Sequence, residues 1–238
     1  MDIILLDTET TGIDQDARLV QLAYKNLSSG KSVNEFFKPP IPISIKAQAT
    51  HHITEREVAD KPAFINSDWQ KQLIQELADN IMVAHNAPYD IRILNNEKVA
   101  VNKFIDTLRV SRHLLESEEY NMQYLRYALD LNVTALAHNA MGDVAVLEAL
   151  FNYLCNFIKA KHTVASDAEV YDLMLHLTEQ PVLLRVMNFG KHKGKFFKDV
   201  AEYDINYLQW LYDKQMENDM LGRNEDLIHT LEQYLGIK

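Results

Sequence analysis

Four large apolar residues, Ile3-Ile4-Leu5-Leu6, stand near the start of the chain without a polar interruption, and this pattern predicts a strand buried on both faces. Two more strands are predicted over Leu19 to Lys25 and Val33 to Lys38, joined by Asn26-Leu27-Ser28-Ser29-Gly30, whose Ser and Gly suit a hairpin turn. The period then changes. A Pro-rich bend from Pro39 to Pro42 interrupts regular structure, and Thr54 with Glu57 has the spacing of a capping box for a short helix. Leu73, Ile74 and Leu77 share a face of a helix over Asp68 to Asp79. Strand and helix alternate beyond it: strand Ile81 to Ala84, a helix carrying Asp90, Ile91 and Leu94, strand Phe104 to Asp106, helix Leu108 to Leu115. Asn121 caps a helix bearing Met122, Leu125 and Leu129, and a long helix runs from about Gly142 to Ile158. Three strands followed by this alternation form an α/β pattern.

A boundary is predicted after Lys161. Residues 1–161 make the main domain, and 162–180 a connecting helix with Ser166 and Glu169 as capping box and Val170, Leu173, Met174 and Leu177 on one face. Residues 181–238 form a small hairpin-plus-helix module: Leu183 to Phe189, a turn from Gly190 to Gly194, Phe196 to Val200, and a helix through Tyr207 to Tyr212.

With 238 residues and 47% hydrophobic content, the chain can bury one sizeable core plus an appendage. No uninterrupted apolar run approaches the roughly 18 residues of a membrane span, so no membrane partner is expected. The single cysteine, Cys155, excludes an internal disulfide and agrees with a cytoplasmic location.

The chemistry starts with Asp7 and Glu9, in the string LLDTETTG. On a strand, positions two apart share a face, so both carboxylates project together while Thr8 faces away. Acids there either begin a turn or cradle a cation, and without a counter-charge the pair is costly to bury. Asp90 follows the second apolar strand in VAHNAPYD, and Asp143 closes HNAMGD before the long helix. These three segments, in this order, resemble the exonuclease motifs of the DEDD superfamily of 3'→5' exonucleases. His138, five positions before Asp143, resembles the histidine of its DEDDh branch. The stretch PISIKAQATHHITEREVADKP and the C-terminal FGKHKGKFFKDVAEYDINYLQWL are similar to the exodeoxyribonuclease X type and extend the resemblance over nearly the whole chain.

The resemblance implies a ribonuclease H-like exonuclease domain, a mixed sheet flanked by helices, with Asp7, Glu9, Asp90, His138 and Asp143 catalytic. The four acids would hold two divalent cations about 4 Å apart, Mg2+ or Mn2+, since hard ions prefer oxygen and zinc would recruit histidine or cysteine. By resemblance Asp7 bridges the ions, Glu9 and Asp143 hold the one on the water side, Asp90 the one at the leaving group, and His138 is the general base. Asp90, near a helix start, also complements the helix dipole.

Substrate contacts are predicted around the turn after Glu9. The amides of Thr10 to Gly12 could hold the terminal sugar, and Ile13 is either an apolar wedge against the terminal base or packing under the turn. The resemblance puts His51 in the nucleotide pocket, and Asn86 could orient the strand end. Lys191, Lys193, Lys195 and Lys198 form a basic window in a chain of net charge −10, as a nucleic-acid contact or as a solvated hairpin. The implied partner is nucleic acid with a 3' end, DNA favoured over RNA, with release of nucleoside 5'-monophosphates. An exoribonuclease, or an inert binding protein on the same fold, remains in competition, and nothing in the sequence identifies a protein partner.

Overall fold

β1 (Ile3–Thr10) continues past the apolar run to Thr10, so Asp7 and Glu9 sit inside the strand and not in the turn after it. The computed structural model describes residues 1–133, 140–161, 166–218 and 222–237. β1 pairs antiparallel with β2 (Leu19–Asn26), which pairs antiparallel with β3 (Ser32–Phe36). Two short helices follow, α1 (Ile45–His51) and α2 (Glu55–Val58), the second closed by the expected Thr54–Glu57 capping box. α3 (Asp68–Ala78) then delivers the chain to β4 (Ile81–Ala84), parallel to β1, and α4 (Ala87–Asn96) carries it to β5 (Phe104–Asp106), parallel to β4. The sheet order is β3-β2-β1-β4-β5, with β1 at the centre.

Helices α5 (Thr107–Leu114), α6 (Met122–Ala128), α7 (Ala140–Lys161) and α8 (Asp167–Glu179) complete this part. The alternation along β1 sorts two cores. Ile3 and Leu5 pack with Val144, Leu147, Phe151 and Leu154 of α7, whereas Ile4 and Leu6 pack with Leu73 and Leu77 of α3 and Ile93 and Leu94 of α4. Each such fully buried side chain contributes on the order of 2 kcal/mol. α7 is long and apolar enough to cross a membrane by length and composition, yet it is the main core helix of this sheet. Val170 and Met174 of α8 belong to the same core.

The chain divides into two compact units, Met1–Thr178 and Glu179–Lys238. The second contains α9 (Phe197–Tyr203), α10 (Ile205–Glu217) and α11 (Glu225–Leu235) around Met187, Phe197, Val200, Leu208, Leu211, Leu227 and Leu231. Among the described residues, the hairpin expected there shrinks to one bridge between Val186 and Phe196. Of the predicted second strand, Phe196 to Val200, only Phe196 is extended, and Phe197 to Val200 instead start α9. Its Phe197 and Val200, three apart, bury together on one helical face, and a short apolar run is ambiguous between strand and helix.

Candidate active site

Beyond Leu6 the two faces of β1 turn polar. Asp7 and Glu9 continue the face of Ile3 and Leu5, where α7 packs and presents Asp143 from its first turn. One carboxylate oxygen from each of Asp7, Glu9 and Asp143 lies within 4.8 Å of the others. Gln123 of α6 donates to Asp143 Oδ1 at 2.9 Å and fixes that carboxylate from outside.

Asp90 arrives differently. It comes from the first turn of α4, on the face of Ile4 and Leu6, where the Thr8 hydroxyl donates to its Oδ1 at 2.7 Å. Three acids therefore form a tight group, and the fourth is held beside them by Thr8, the strand residue that faces away from Asp7 and Glu9. Asp90 is nonetheless close enough to be the strongest of the acids acting on Asp7.

The local electrostatics follow from burial and like charge. Burial first, then repulsion from Asp90, Glu9 and Asp143, holds the Asp7 carboxyl well above the ordinary carboxylate range. Burial, then Asp143 and Asp90, pushes Glu9 up to about 7. Asp90 also rises to about 7, chiefly through burial, with the Thr8 hydrogen bond opposing. Such a site binds either protons or cations, and its donors are all carboxylate oxygens, which suits hard divalent ions.

The turn after Glu9 is held by α4. The Tyr89 hydroxyl donates to the Gly12 carbonyl at 3.0 Å and lies 2.5 Å from the Thr10 hydroxyl. Arg92 stacks its guanidinium over the Tyr89 ring and donates to the Ile13 carbonyl at 3.1 Å, and Asn96 reaches the Gln15 and Ala17 carbonyls. Residues 89, 92 and 96 follow helical spacing, so one stripe of α4 clamps the turn while Asp90 on the adjacent stripe reaches the acids. Ile13 is 80% exposed at the tip, which removes the reading as packing under the turn.

Thr10 is buried and its hydroxyl is engaged with Tyr89 and the Gly12 carbonyl, so it shapes the turn from within. His51 does likewise. It is buried, its Nδ1 accepts from the Ile53 amide at 3.0 Å, and Nε2 therefore carries the proton directed at the Thr10 carbonyl, 3.1 Å away. Both ring nitrogens are thus committed to the chain, and direct contact with a nucleotide through them gives way to positioning of Thr10. Asn86, at φ 68 before α4, is exposed with its side chain making no cap hydrogen bond. His138 lies outside the described residues.

The lysines sit in the second unit. Lys191 pairs with Asp204 at 2.7 Å, while Lys193, Lys195 and Lys198 are exposed. Gly190, at φ +70, is required there, because a Cβ would stand 2.2 Å from the Tyr207 hydroxyl.

Sequence reasoning missed Thr8, Tyr89, Arg92 and Gln123. Tyr89, adjacent to Asp90, and Thr8, between Asp7 and Glu9, carried a signal by position. The clamp has a measurable consequence. Tyr89→Phe removes the hydroxyl that meets both the Gly12 carbonyl and the Thr10 hydroxyl, at least about 1 kcal/mol, and is expected to raise KM for an oligonucleotide about fivefold with metal affinity unchanged. An unchanged KM in steady-state kinetics would mean that the turn holds itself.

The Exonuclease family model matches residues 4–151, and the Exodeoxyribonuclease X-like C-terminal model matches residues 187–215. Exodeoxyribonuclease 10 of Escherichia coli strain K12 is 33% identical over 97% of both chains. The DNA polymerase III subunit epsilon of Rickettsia prowazekii is 32% identical over 62% of this chain and 71% of its own. Among solved structures, exonuclease X in complex with 5' overhanging duplex DNA superposes with a TM-score of 0.56 and 27% identity, covering 74% of this chain and 99% of that one. An Escherichia coli exonuclease I complex with single-stranded DNA, at 17% identity and a TM-score of 0.57, shares the fold. Both parts of the chain are thus matched in sequence and the exonuclease fold in structure, and the chain belongs to the exonuclease family, as a nuclease of the exodeoxyribonuclease X type.

Proposed function

We propose that the protein is a 3'→5' exodeoxyribonuclease that hydrolyses the terminal phosphodiester of DNA with two divalent cations, Mg2+ or Mn2+, and releases nucleoside 5'-monophosphates. The convergence of Asp7, Glu9 and Asp143 within 4.8 Å carries this reading. These acids and Asp90 would hold the ions, which when bound supply Lewis-acid stabilisation of the phosphate and of the departing 3' oxygen. His138 accepts the proton of the attacking water as its oxygen bonds to phosphorus, and the bond to the 3' oxygen breaks. The clamped turn presents Ile13 against the terminal base, and Asn86 follows the C-terminal end of β4, the parallel neighbour of β1.

DNA is favoured over RNA because the named relatives are an exodeoxyribonuclease and a DNA polymerase subunit, and the exonuclease X structure is a complex with duplex DNA. We place the activity in the cytoplasm, in keeping with a single cysteine and hence no internal disulfide. The test compares 5'-labelled single-stranded DNA, duplex DNA and RNA of one sequence with Mn2+. A ladder shortening from the 3' end, fastest on DNA, is expected; a faster RNA ladder would make the protein an exoribonuclease, and no ladder on any substrate would end the reading.

Metal binding should also appear in stability. Glu9 and Asp90 titrate near 7 when folded but near 4 when unfolded, so between those values the folded state holds protons that the unfolded state has lost. Their contribution is full below about pH 4 and falls as pH rises to about 7. The metal-free protein should therefore melt progressively lower over that interval, and Mn2+ should raise Tm more at pH 8 than at pH 5.5. A metal-induced Tm gain independent of pH would show that the ions bind elsewhere.

A further inference from the structure

The second unit carries two exposed aromatic rings that its own core does not use, Tyr203 and Trp210, and a third, Tyr207, half-buried against that core. Tyr207 and Trp210 lie one turn apart on α10 with ring centroids 5.7 Å apart, and Trp210 is 51% exposed. The His192 ring stands edge-on to both Tyr203, at 5.5 Å, and Tyr207, at 4.8 Å, and Tyr203 is 59% exposed. The helix buries Leu208 and Leu211 instead, so the row lies to one side of the core face. Lys191 brings its ammonium to 5.9 Å from the Tyr207 centroid. Lys214 continues the row at the far end, so the stretch of α10 from Tyr207 to Lys214 is about 10 Å long, room for about two nucleotides.

The charges favour a phosphate chain. In a protein of net charge −10, the window from Arg185 to Lys198 contains five cations and no acid. Asp204 is paired with Lys191 at 2.7 Å and lies 2.8 Å from His192 Nε2, and Glu217 pairs with Lys214. Solvent-facing rings beside cations offer stacking to unpaired bases, whereas paired bases have no free face to give.

We propose that this row is a stacking platform for single-stranded DNA, with bases on Trp210 and Tyr203 beside Tyr207 and phosphates against Lys191, Lys193 and Lys195. The identity of the ligand rests on the exonuclease reading, but the platform is a surface separate from the acids. It would hold strand internal to the end being hydrolysed or strand of a second molecule.

Trp69 and Trp210 are the two tryptophans, so Trp69→Phe leaves Trp210 as the sole indole reporter in the full-length protein. In EDTA, which stops hydrolysis, oligothymidylate should quench that emission, and a blunt duplex of equal length should not. Trp210→Ala should weaken binding about tenfold by anisotropy, while Trp210→Phe keeps most of the affinity and so separates lost stacking from damage to the unit. Changing Lys193 and Lys195 to Gln should flatten the slope of log affinity against log salt by about 0.7 for each phosphate no longer neutralised. Absent quenching, with affinity unchanged in Trp210→Ala and in the lysine variant, overturns the platform and leaves the surface for a protein partner. Asp7→Ala tests the exonuclease reading apart from this one: it should stop mononucleotide release with Mn2+ and leave the quenching intact.

Discussion

Asp7→Ala and Asp143→Ala, each purified free of the parent enzyme, are expected to lose at least about a thousandfold in nucleotide release, roughly 4 kcal/mol of barrier. Each removes an oxygen from the group of three that lies within 4.8 Å, and the remaining acids cannot restore the coordination because α7 and β1 are fixed in the core. Stability should move the other way. The Asp7 carboxyl is buried and repelled by Asp90, Glu9 and Asp143, so removing it in EDTA relieves strain between like charges. At pH 8 the metal-free variants should melt no lower than the parent, and Mn2+ should raise their Tm much less. Activity above about a tenth of the parent in either variant would mean that the carboxylate is not a ligand.

The opposite directions of those two effects reflect how β1 is built. Its apolar half anchors both cores, and its polar half continues the same alternation into the site, so one strand sorts Asp7 and Glu9 to α7 and Thr8 and Thr10 to α4. That sorting is legible in the sequence, because a period of two needs only the strand assignment. The strands Ile81–Ala84 and Phe104–Asp106 are legible by another signal, as short apolar runs between helical periods.

What was not legible depends on meetings between distant residues or on helices without an apolar stripe. Thr8 meets Asp90 across 82 positions and Tyr89 meets Thr10 across 79, and no local pattern reports such a meeting. α1 has no stripe: its one buried residue is His51, Ile45 is exposed, and the helix rests on the Ser44 cap just after the prolines. α11 does have a signal, Asn224 before Leu227 and Leu231, although expectations for the module end at Tyr212. The aromatic row on α10 is visible in sequence as Tyr207 and Trp210, but an apolar residue at helical spacing reads first as core. Exposure reverses that reading at Trp210, whereas Tyr207 does pack against the core.

The second large effect belongs to His138. His138→Ala is expected to lower the rate by about two to four orders of magnitude while metal binding stays near that of the parent, the usual range for a positioned base. A histidine has a near-neutral intrinsic pKa, so in the proposed reaction the imidazole can take a proton from the attacking water at physiological pH, whereas the carboxylates would be occupied by cations. Raising the pH should rescue the variant in part, since hydroxide then supplies what the imidazole took, and the parent should gain far less over the same interval. Calorimetric titration with Mn2+ separates the roles. A loss of affinity in His138→Ala as large as in Asp7→Ala would make the histidine a ligand, and a rate unchanged within about threefold would remove it from the reaction and leave proton acceptance to another group.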